Sequence, residues 1–244
     1  MAYQIKVQES SDSFGVFQKY RISNGSGAYV VISPRGAALE QVVLCSKDEP
    51  DMAALTTPGG IRFFADGAEI AIPAQDWEVS DHGENWLLFD TAKSAVAPRI
   101  ALRYAWMDHE RLVLDIMADE PTENTLTFCT DFSFSLGGST SGDYKLTTYS
   151  CRTSVTDENG LLLPDSSECV TVPGEGLRPV AELICPESDM TMTAYTTLPQ
   201  LRIRRGDGVG LNSGCAESCS WPQRVVYGFD PIYHGPNKVY PFAF

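Results

Sequence analysis

The sequence has few basic residues and none of the long apolar runs that cross a membrane. Its 18 Lys and Arg stand against 32 Asp and Glu, which gives a formal net charge of -14. Nucleic acids and anionic membrane surfaces both bind basic faces, so this balance argues against either partner. No apolar run approaches the roughly 20 residues of a membrane span, and no basic-then-apolar segment opens the sequence. We therefore expect a soluble, cytoplasmic protein.

The sequence motifs of nucleotide and metal chemistry are missing as well. There is no phosphate loop, no G-x-S-x-G nucleophile motif and no dinucleotide fingerprint. The seven cysteines lack C-x-x-C spacing, and no further ligands at compatible spacing complete a metal site. In a chain without a secretion signal, such cysteines are expected to be free thiols. The sequence thus predicts no metal site.

A sustained apolar period of 3.6 residues is also absent, so the sequence predicts no long helix. Short alternating runs are separated instead by Gly, Pro, Asn and Asp, which is typical of strands and turns. Residues 45–60 are polar and irregular and are predicted to form a loop. Because no linker or repeat divides the chain, we expect one all-β domain over residues 1–244. The pattern favours a β-sandwich over a barrel.

The clearest pattern lies in residues 100–138, which are predicted to form three consecutive strands. In the third of these, two sets of side chains alternate with a period of two, which indicates one face in a core and one facing a polar space. The apolar set is Phe128, Phe132, Phe134 and Leu136, and the polar set is Thr127, Cys129, Asp131, Ser133 and Ser135. Asp131 is the charged group of the polar set and therefore the first candidate for chemistry.

Four segments in this order resemble the galactose mutarotase-like family, which comprises the aldose 1-epimerases and their shorter hexose-6-phosphate epimerase and bacterial relatives. Each segment is a weak signal alone, and the resemblance rests on their order and spacing over residues 14–222. The four segments are FGVFQKYRISNGSGAYVVISPRGAALEQVVL from Phe14, GGIRFF from Gly59, LRYAWMDHERLVLDIMADEPTENTLTFCTDFSFSLGG from Leu102, and SGCAES from Ser213.

The resemblance implies a large antiparallel β-sandwich with an open sugar cleft and a reaction that needs no cofactor. In the family a Glu takes the proton of the anomeric hydroxyl while a His protonates the ring oxygen, so the sugar opens and recloses as the other anomer. The matching position for the base is Glu217. Asp131 stands where the family has its acid His. A protonated Asp acts as an acid only if burial or a second carboxylate raises its pKa.

Two further residues are candidates for binding the ligand, which we expect to be a sugar or a sugar phosphate. Arg62 follows two glycines and precedes two phenylalanines, and it is the candidate for the substrate-binding arginine of the family. Trp221 follows Glu217 closely and could stack on a pyranose face. The three histidines, His82, His109 and His234, are expected in surface turns and loops.

Three functions are compatible with these residues. The first is an aldose 1-epimerase-like isomerase with Glu217 as base and Asp131 in the acid position. The second is a non-catalytic carbohydrate-binding protein that keeps the cleft without the acid. The third is a glycoside hydrolase with a carboxylate pair, whose oxygens would be about 5 or 6.5–9.5 Å apart.

Overall fold

Two large antiparallel β-sheets make up nearly all of the computed structural model, which describes residues 2–45, 52–70, 72, 77–92, 98–119, 126–137, 144–215 and 221–231. Within these ranges there is no α-helix, and the 3-10 helix Arg35–Ala37 is a single short turn. This arrangement confirms the predicted antiparallel all-β sandwich. No helix in the described part of the chain has the length and apolar character that a membrane span requires.

The first sheet has 11 strands and carries both the beginning of the chain and the polar strand predicted from the sequence. Its strands, in spatial order, are β1 (Gln4–Asp12), β2 (Gly15–Ser23), β3 (Tyr29–Ser33), β4 (Ala38–Leu44), β6 (Leu55–Ala65), β12 (Leu126–Phe134), β18 (Val209–Gly214), β17 (Gln200–Arg205) and β14 (Ser167–Thr171). Two short strands complete it, namely β5 (Met52–Ala53) beside β4 and β7 (Ala68–Ile70) beside β6.

The second sheet has eight strands, and the last strand of the described chain lies near its middle. Its strands, in spatial order, are β13 (Lys145–Thr148), β15 (Arg178–Cys185), β16 (Met190–Thr196), β19 (Gln223–Pro231), β11 (Arg111–Ala118), β10 (Ile100–Met107), β9 (Trp86–Thr91) and β8 (Trp77–His82). The three strands predicted within residues 100–138 are therefore confirmed as β10, β11 and β12. They do not share one sheet, because β12 crosses to the first.

The core lies between the two sheets, where β12 of the first packs against β19 of the second. Phe132 and Phe134 point inwards and meet the ring of Tyr227 at centroid distances of 5.9 and 4.9 Å, while Phe134 also lies 5.7 Å from Phe229. All four side chains are at most 1% exposed. Aromatic burial on this scale is the main favourable term holding the layers together. The alternation predicted for β12 is thus confirmed from Phe128 to Phe134, with Cys129, Asp131 and Ser133 on the outer face, whereas Thr127 of the predicted polar set is buried.

Three segments differ from the sequence-based prediction. The predicted loop at 45–60 is wrong from Met52 onwards, because β5 begins there and is followed by β6. Strand β6 pairs with β12 despite its TTPGG sequence. The register of that pairing shifts near Asp131, so the strand tolerates residues that a regular ladder would not. Strand β1 precedes Phe14, where the first of the four family-like segments begins. Strand β19, for which the sequence gives no assignment, occupies an interior position in its sheet.

Candidate functional site

The candidate site is the outer, polar face of β6, β12, β18, β17 and β14. The register of the strands places side chains in rows across this face. One row runs across four strands and consists of Arg62 on β6, Cys129 on β12, Gly214 on β18 and Gln200 on β17. In the next row Arg202 lies between its partners Asn212 on β18 and Cys169 on β14. Adjacent strands therefore bring together residues far apart in the sequence.

Two adjoining cavities open on this face. The larger has a volume of about 340 Å³, at the low end of the roughly 300–1,000 Å³ typical of small-molecule sites. It is lined by Cys129, Ser167, Glu168, Cys169, Gln200, Arg202, Asn212 and Gly214. The smaller, of about 80 Å³, is lined by Arg62, Cys129, Thr130, Asp131, Arg202, Arg204 and Asn212. The residues common to both are Cys129, Arg202 and Asn212, so the cavities are parts of one depression.

The floor of the depression is β18, where glycine alternates with Asn212. A Cβ atom on Gly214 would lie 3.0 Å from both the Cβ of Cys129 and the backbone oxygen of Phe128, so no larger side chain fits without a shift. The Asn212 side chain is turned into the sheet. Its Oδ1 accepts a hydrogen bond from the amide of Phe132 at 2.8 Å, and its Nδ2 donates to the carbonyl of Phe132 at 3.1 Å. The floor therefore has no side chain at Gly214, and the hydrogen bonds of Asn212 fix its position against β12.

Asp131 lies in the smaller cavity, on the outer face where the sequence pattern predicts it. Its side chain is 41% exposed, and its Oδ1 lies 3.8 Å from Nη2 of Arg204 on β17. An ion pair this long and exposed contributes little stability. The backbone of Asp131 is more constrained, because a Cβ atom on Gly59 of β6 would clash with the backbone oxygen of Asp131. The Gly-Gly motif thus lets β6 approach the strand that carries the candidate acid.

Arg62 lines the same small cavity, and its guanidinium is already engaged. Its Nε and Nη2 donate to the two oxygens of Glu69 at 2.9 and 2.5 Å. This hydrogen bonding raises the pKa of Arg62 and lowers the pKa of Glu69. The guanidinium also lies 5.6 Å from the ring centre of Phe64. Its assignment as a ligand-binding residue remains a prediction, and a ligand would share Arg62 with Glu69.

Trp221 lies at the edge of the core. Its ring stacks on Phe128 at a centroid distance of 5.3 Å, and Phe128 points into the interior between the sheets. Trp221 is half-buried and packs against the core cluster, and it is not among the lining residues of either cavity. One ring face is thereby covered, and sugar stacking would have to use the other. Its binding role also remains a prediction.

Glu217, the candidate base, lies outside the described residues. In the sequence it stands three residues after Gly214, which lines the larger cavity. The two histidines in the described ranges, His82 and His109, are exposed and line neither cavity. His109 occupies the turn before β11, as the sequence predicts, whereas His82 is the last residue of β8 and not part of a turn.

The cysteines of the site do not belong to a metal-binding cluster among the described residues. No group of three or more His, Cys, Asp or Glu side chains in these ranges is arranged to hold a metal ion. No disulfide bond joins the six cysteines that the structure describes. Cys129 is half-buried, and burial raises the pKa of its thiol, which disfavours the reactive thiolate.

Sequence reasoning missed the contributions of β17 and β18. Arg202 and Arg204 are two residues apart, so both point to the outer face of β17. The spacing of these two arginines in the sequence predicts a positively charged face on the strand, and this signal could have identified them. The role of Asn212 could not be found in this way, because its partner Phe132 is 80 positions away in the sequence.

The fold is shared with solved structures of aldose epimerases, although no protein-family model and no curated protein matches the sequence. A GalM/aldose epimerase homologue from C. elegans superposes with a TM-score of 0.69 at 11% identity, covering 93% of this chain and all of that one. A galactose 1-epimerase from Lactobacillus acidophilus NCFM gives 0.62 at 12% identity, with 95% and 99% covered. A putative aldose 1-epimerase from Escherichia coli K12 gives 0.54 at 10% identity, with 93% and 99% covered. The chain therefore has the fold of these aldose epimerase structures.

Proposed function

We propose that the chain binds a monosaccharide or a sugar derivative on the outer face of β6, β12, β18, β17 and β14, and interconverts its anomers. The observation that carries this proposal is the depression built around Asp131 and Arg202, whose larger part has a volume of about 340 Å³. That size suits a ligand of about one ring, since it lies at the lower limit for small-molecule sites. The shared fold with aldose epimerase structures supports the same choice.

The lining of the depression suits a ligand that presents hydroxyl groups in several directions. Gln200 offers both a donor and an acceptor, Ser167 offers a hydroxyl, and Arg202 offers up to five N–H donors. The glycine of the floor removes one side chain, so a ring can approach the sheet backbone. The recognition would therefore rest on hydrogen bonds.

Anomer interconversion requires a base for the anomeric hydroxyl and an acid for the ring oxygen. We assign the base to Glu217 and the acid position to Asp131. Each such group contributes about 10²–10⁴-fold to a proton-transfer reaction when it lies within hydrogen-bond reach. Asp131 lines the depression, and Glu217 follows closely after the floor strand in the sequence. The residues would act without a cofactor.

One observation favours the alternative of a binding protein without catalysis. A carboxyl group serves as a general acid near neutral pH when burial keeps it protonated. The Asp131 side chain is 41% exposed and has the guanidinium of Arg204 at 3.8 Å. The two described histidines, His82 and His109, do not line the depression, so neither can serve as the general acid in place of Asp131.

The test is NMR exchange spectroscopy of anomer interconversion on a panel of aldoses and their 6-phosphates. We expect acceleration by the wild type and a loss of about 10²-fold or more in Glu217→Gln and in Asp131→Asn. The control Arg99→Gln, just before β10 of the second sheet, should show no loss. Acceleration that persists in both carboxylate variants would overturn the assignment. Ligand-induced shifts without acceleration would establish the binding protein instead. The absence of both would reject a sugar function.

A further inference from the structure

We infer that the ligand of this site carries an oxyanion, either a carboxylate or a phosphate, and that Arg202 binds it with the help of Arg204. This inference rests on the proposed sugar-binding function and specifies its substrate class.

Arg202 is the charged residue common to both cavities. It projects from the outer face of β17 between Asn212 and Cys169, and its side chain is exposed. Within the described ranges its guanidinium has no hydrogen bond and no ion pair. A guanidinium carries five donors in a fixed planar fork that matches the two oxygens of a carboxylate or phosphate. The site therefore presents an unused anion-binding group.

Two carboxylates on this side of the sheet, Glu168 and Glu69, are committed to other partners. Glu168, which lines the larger cavity, accepts two hydrogen bonds through Oε2, from the hydroxyl of Thr153 at 2.6 Å and from the amide of Ser154 at 2.7 Å. Glu69 is held by Arg62 through both of its oxygens. With 32 acidic residues against 18 basic ones, the chain has ample carboxylates, yet none of the described ones pairs with Arg202.

Arg204 stands on the same face as Arg202 and extends the positive charge along β17. Residues two positions apart in a strand are separated by about 6.5–7 Å, so the long side chains of the two arginines can converge on one anion. The contact of Arg204 with Asp131 is long, at 3.8 Å, and both side chains are more than 40% exposed. Such a contact is easily exchanged for a stronger one. A neutral sugar would need only one of these guanidinium groups, whereas an oxyanion can use both.

The experiment compares three probes by calorimetric titration at low salt: D-glucuronate, D-glucose 6-phosphate and D-glucose. We expect at least one anionic probe to bind tenfold or more tightly than D-glucose, and its affinity to fall steeply with added salt. The tighter of the two anionic probes identifies the carboxylate or the phosphate as the natural group. The variants are Arg202→Gln, Arg202→Lys and Arg99→Gln, which removes the same charge just before β10, away from the depression.

Arg202→Gln should weaken the anionic probe by about ten- to a hundredfold, as expected for the loss of a charge-assisted bidentate contact. Arg202→Lys should lose less, because it keeps the charge without the fork. D-Glucose binding should weaken less than binding of the anionic probe in both variants, because a neutral sugar loses hydrogen bonds but no charge pairing. Arg99→Gln should change neither. If D-glucose binds as tightly as both anionic probes, or if Arg202→Gln binds them like the wild type, the inference is wrong while the proposed function stands. If none of a wide panel of sugars binds, both fail.

Discussion

Asn212 bonds both backbone groups of Phe132 across the boundary between β18 and β12. These two strands have backbone pairing at Cys129 with Gly214 and at Phe134 with Val209, and side chains bridge the stretch between them. There the amide of Ser213 donates to the hydroxyl of Thr130 at 2.9 Å. The floor of the depression is thus joined to β12 by side chains where a regular sheet would use its backbone ladder.

Replacing Asn212 with Leu should destabilise the protein. The amide and the carbonyl of Phe132 are buried and would each lose a partner, at a cost of about 1–3 kcal/mol per group. We therefore expect the free energy of unfolding to fall by about 2–4 kcal/mol. Urea denaturation followed by circular dichroism measures the change. Gln200→Leu, which also alters the lining of the larger cavity, is the control and should stay within about 0.5 kcal/mol of the wild type. Equal effects of the two variants would contradict the bridging role of Asn212.

The two glycines of the Gly-Gly motif should respond differently to substitution by alanine. A Cβ atom on Gly59 would clash with the backbone of Asp131 and lie 2.9 Å from the Phe132 ring, whereas on Gly60 the nearest atom, the carbonyl oxygen of Gly36, is 3.9 Å away. Overpacking against backbone typically costs 1–3 kcal/mol. We expect Gly59→Ala to cost about 2 kcal/mol or more and Gly60→Ala to lie within about 1 kcal/mol of the wild type. Thermal unfolding of both variants tests this, and indistinguishable melting temperatures would refute it.

Two buried tyrosines should resist ionisation at alkaline pH. Tyr104 donates to the carbonyl of Ala37 at 2.8 Å and Tyr227 to that of Leu211 at 3.0 Å, and both rings are fully buried. Burial raises the pKa of each phenol above its ordinary value of about 10. The unfolded chain therefore releases these protons first as the pH rises above about 10, so the neutral phenols stabilise the fold at lower pH and that stabilisation is lost in the alkaline range.

Tyrosinate absorbance during alkaline titration measures this behaviour. We expect Tyr104 and Tyr227 to ionise only together with unfolding, so that each of the variants Tyr104→Phe and Tyr227→Phe removes one tyrosine from the cooperative step. A gradual titration of all ten tyrosines before unfolding would contradict the prediction.

Ligand binding should protect Cys169 from alkylation. This thiol is exposed and lines the larger cavity, whereas Cys45 is exposed and belongs to neither cavity. A ligand seated beside Arg202 would cover Cys169, because the two residues pair across β17 and β14. Iodoacetamide labelling resolved by peptide mass spectrometry should show slower modification of Cys169 at saturating ligand and an unchanged rate at Cys45. Equal rates at Cys169 with and without bound ligand would place the ligand elsewhere.

The sequence predicts the fold class and the face of Asp131 because both depend on local alternation along single strands. The two-residue period of a strand assigns Phe128 to the inner face and Asp131 to the outer face, as the structure has them. The loop prediction for the residues of β6 is wrong for the opposite reason. Pro58 and Gly59 have a low intrinsic preference for strands, and pairing with β12 overrides that preference. The contributions of Arg202 and Asn212 depend on which strands are neighbours, and that information is not local. Strand order is set by the packing of the whole sandwich.

The interior position of β19 has a consequence for how the molecule is assembled during synthesis. Asp115 on β11 bonds Arg224 on β19 across 109 positions of sequence, and β16 pairs with the other side of the same strand. Until residues 223–231 leave the ribosome, β11 and β16 each present an open edge of unpaired backbone groups. Such edges invite association with other chains, and closure over so long a separation is slow. β11 therefore keeps an open edge while about 100 further residues are synthesised, and the two halves of the second sheet join only when β19 is complete.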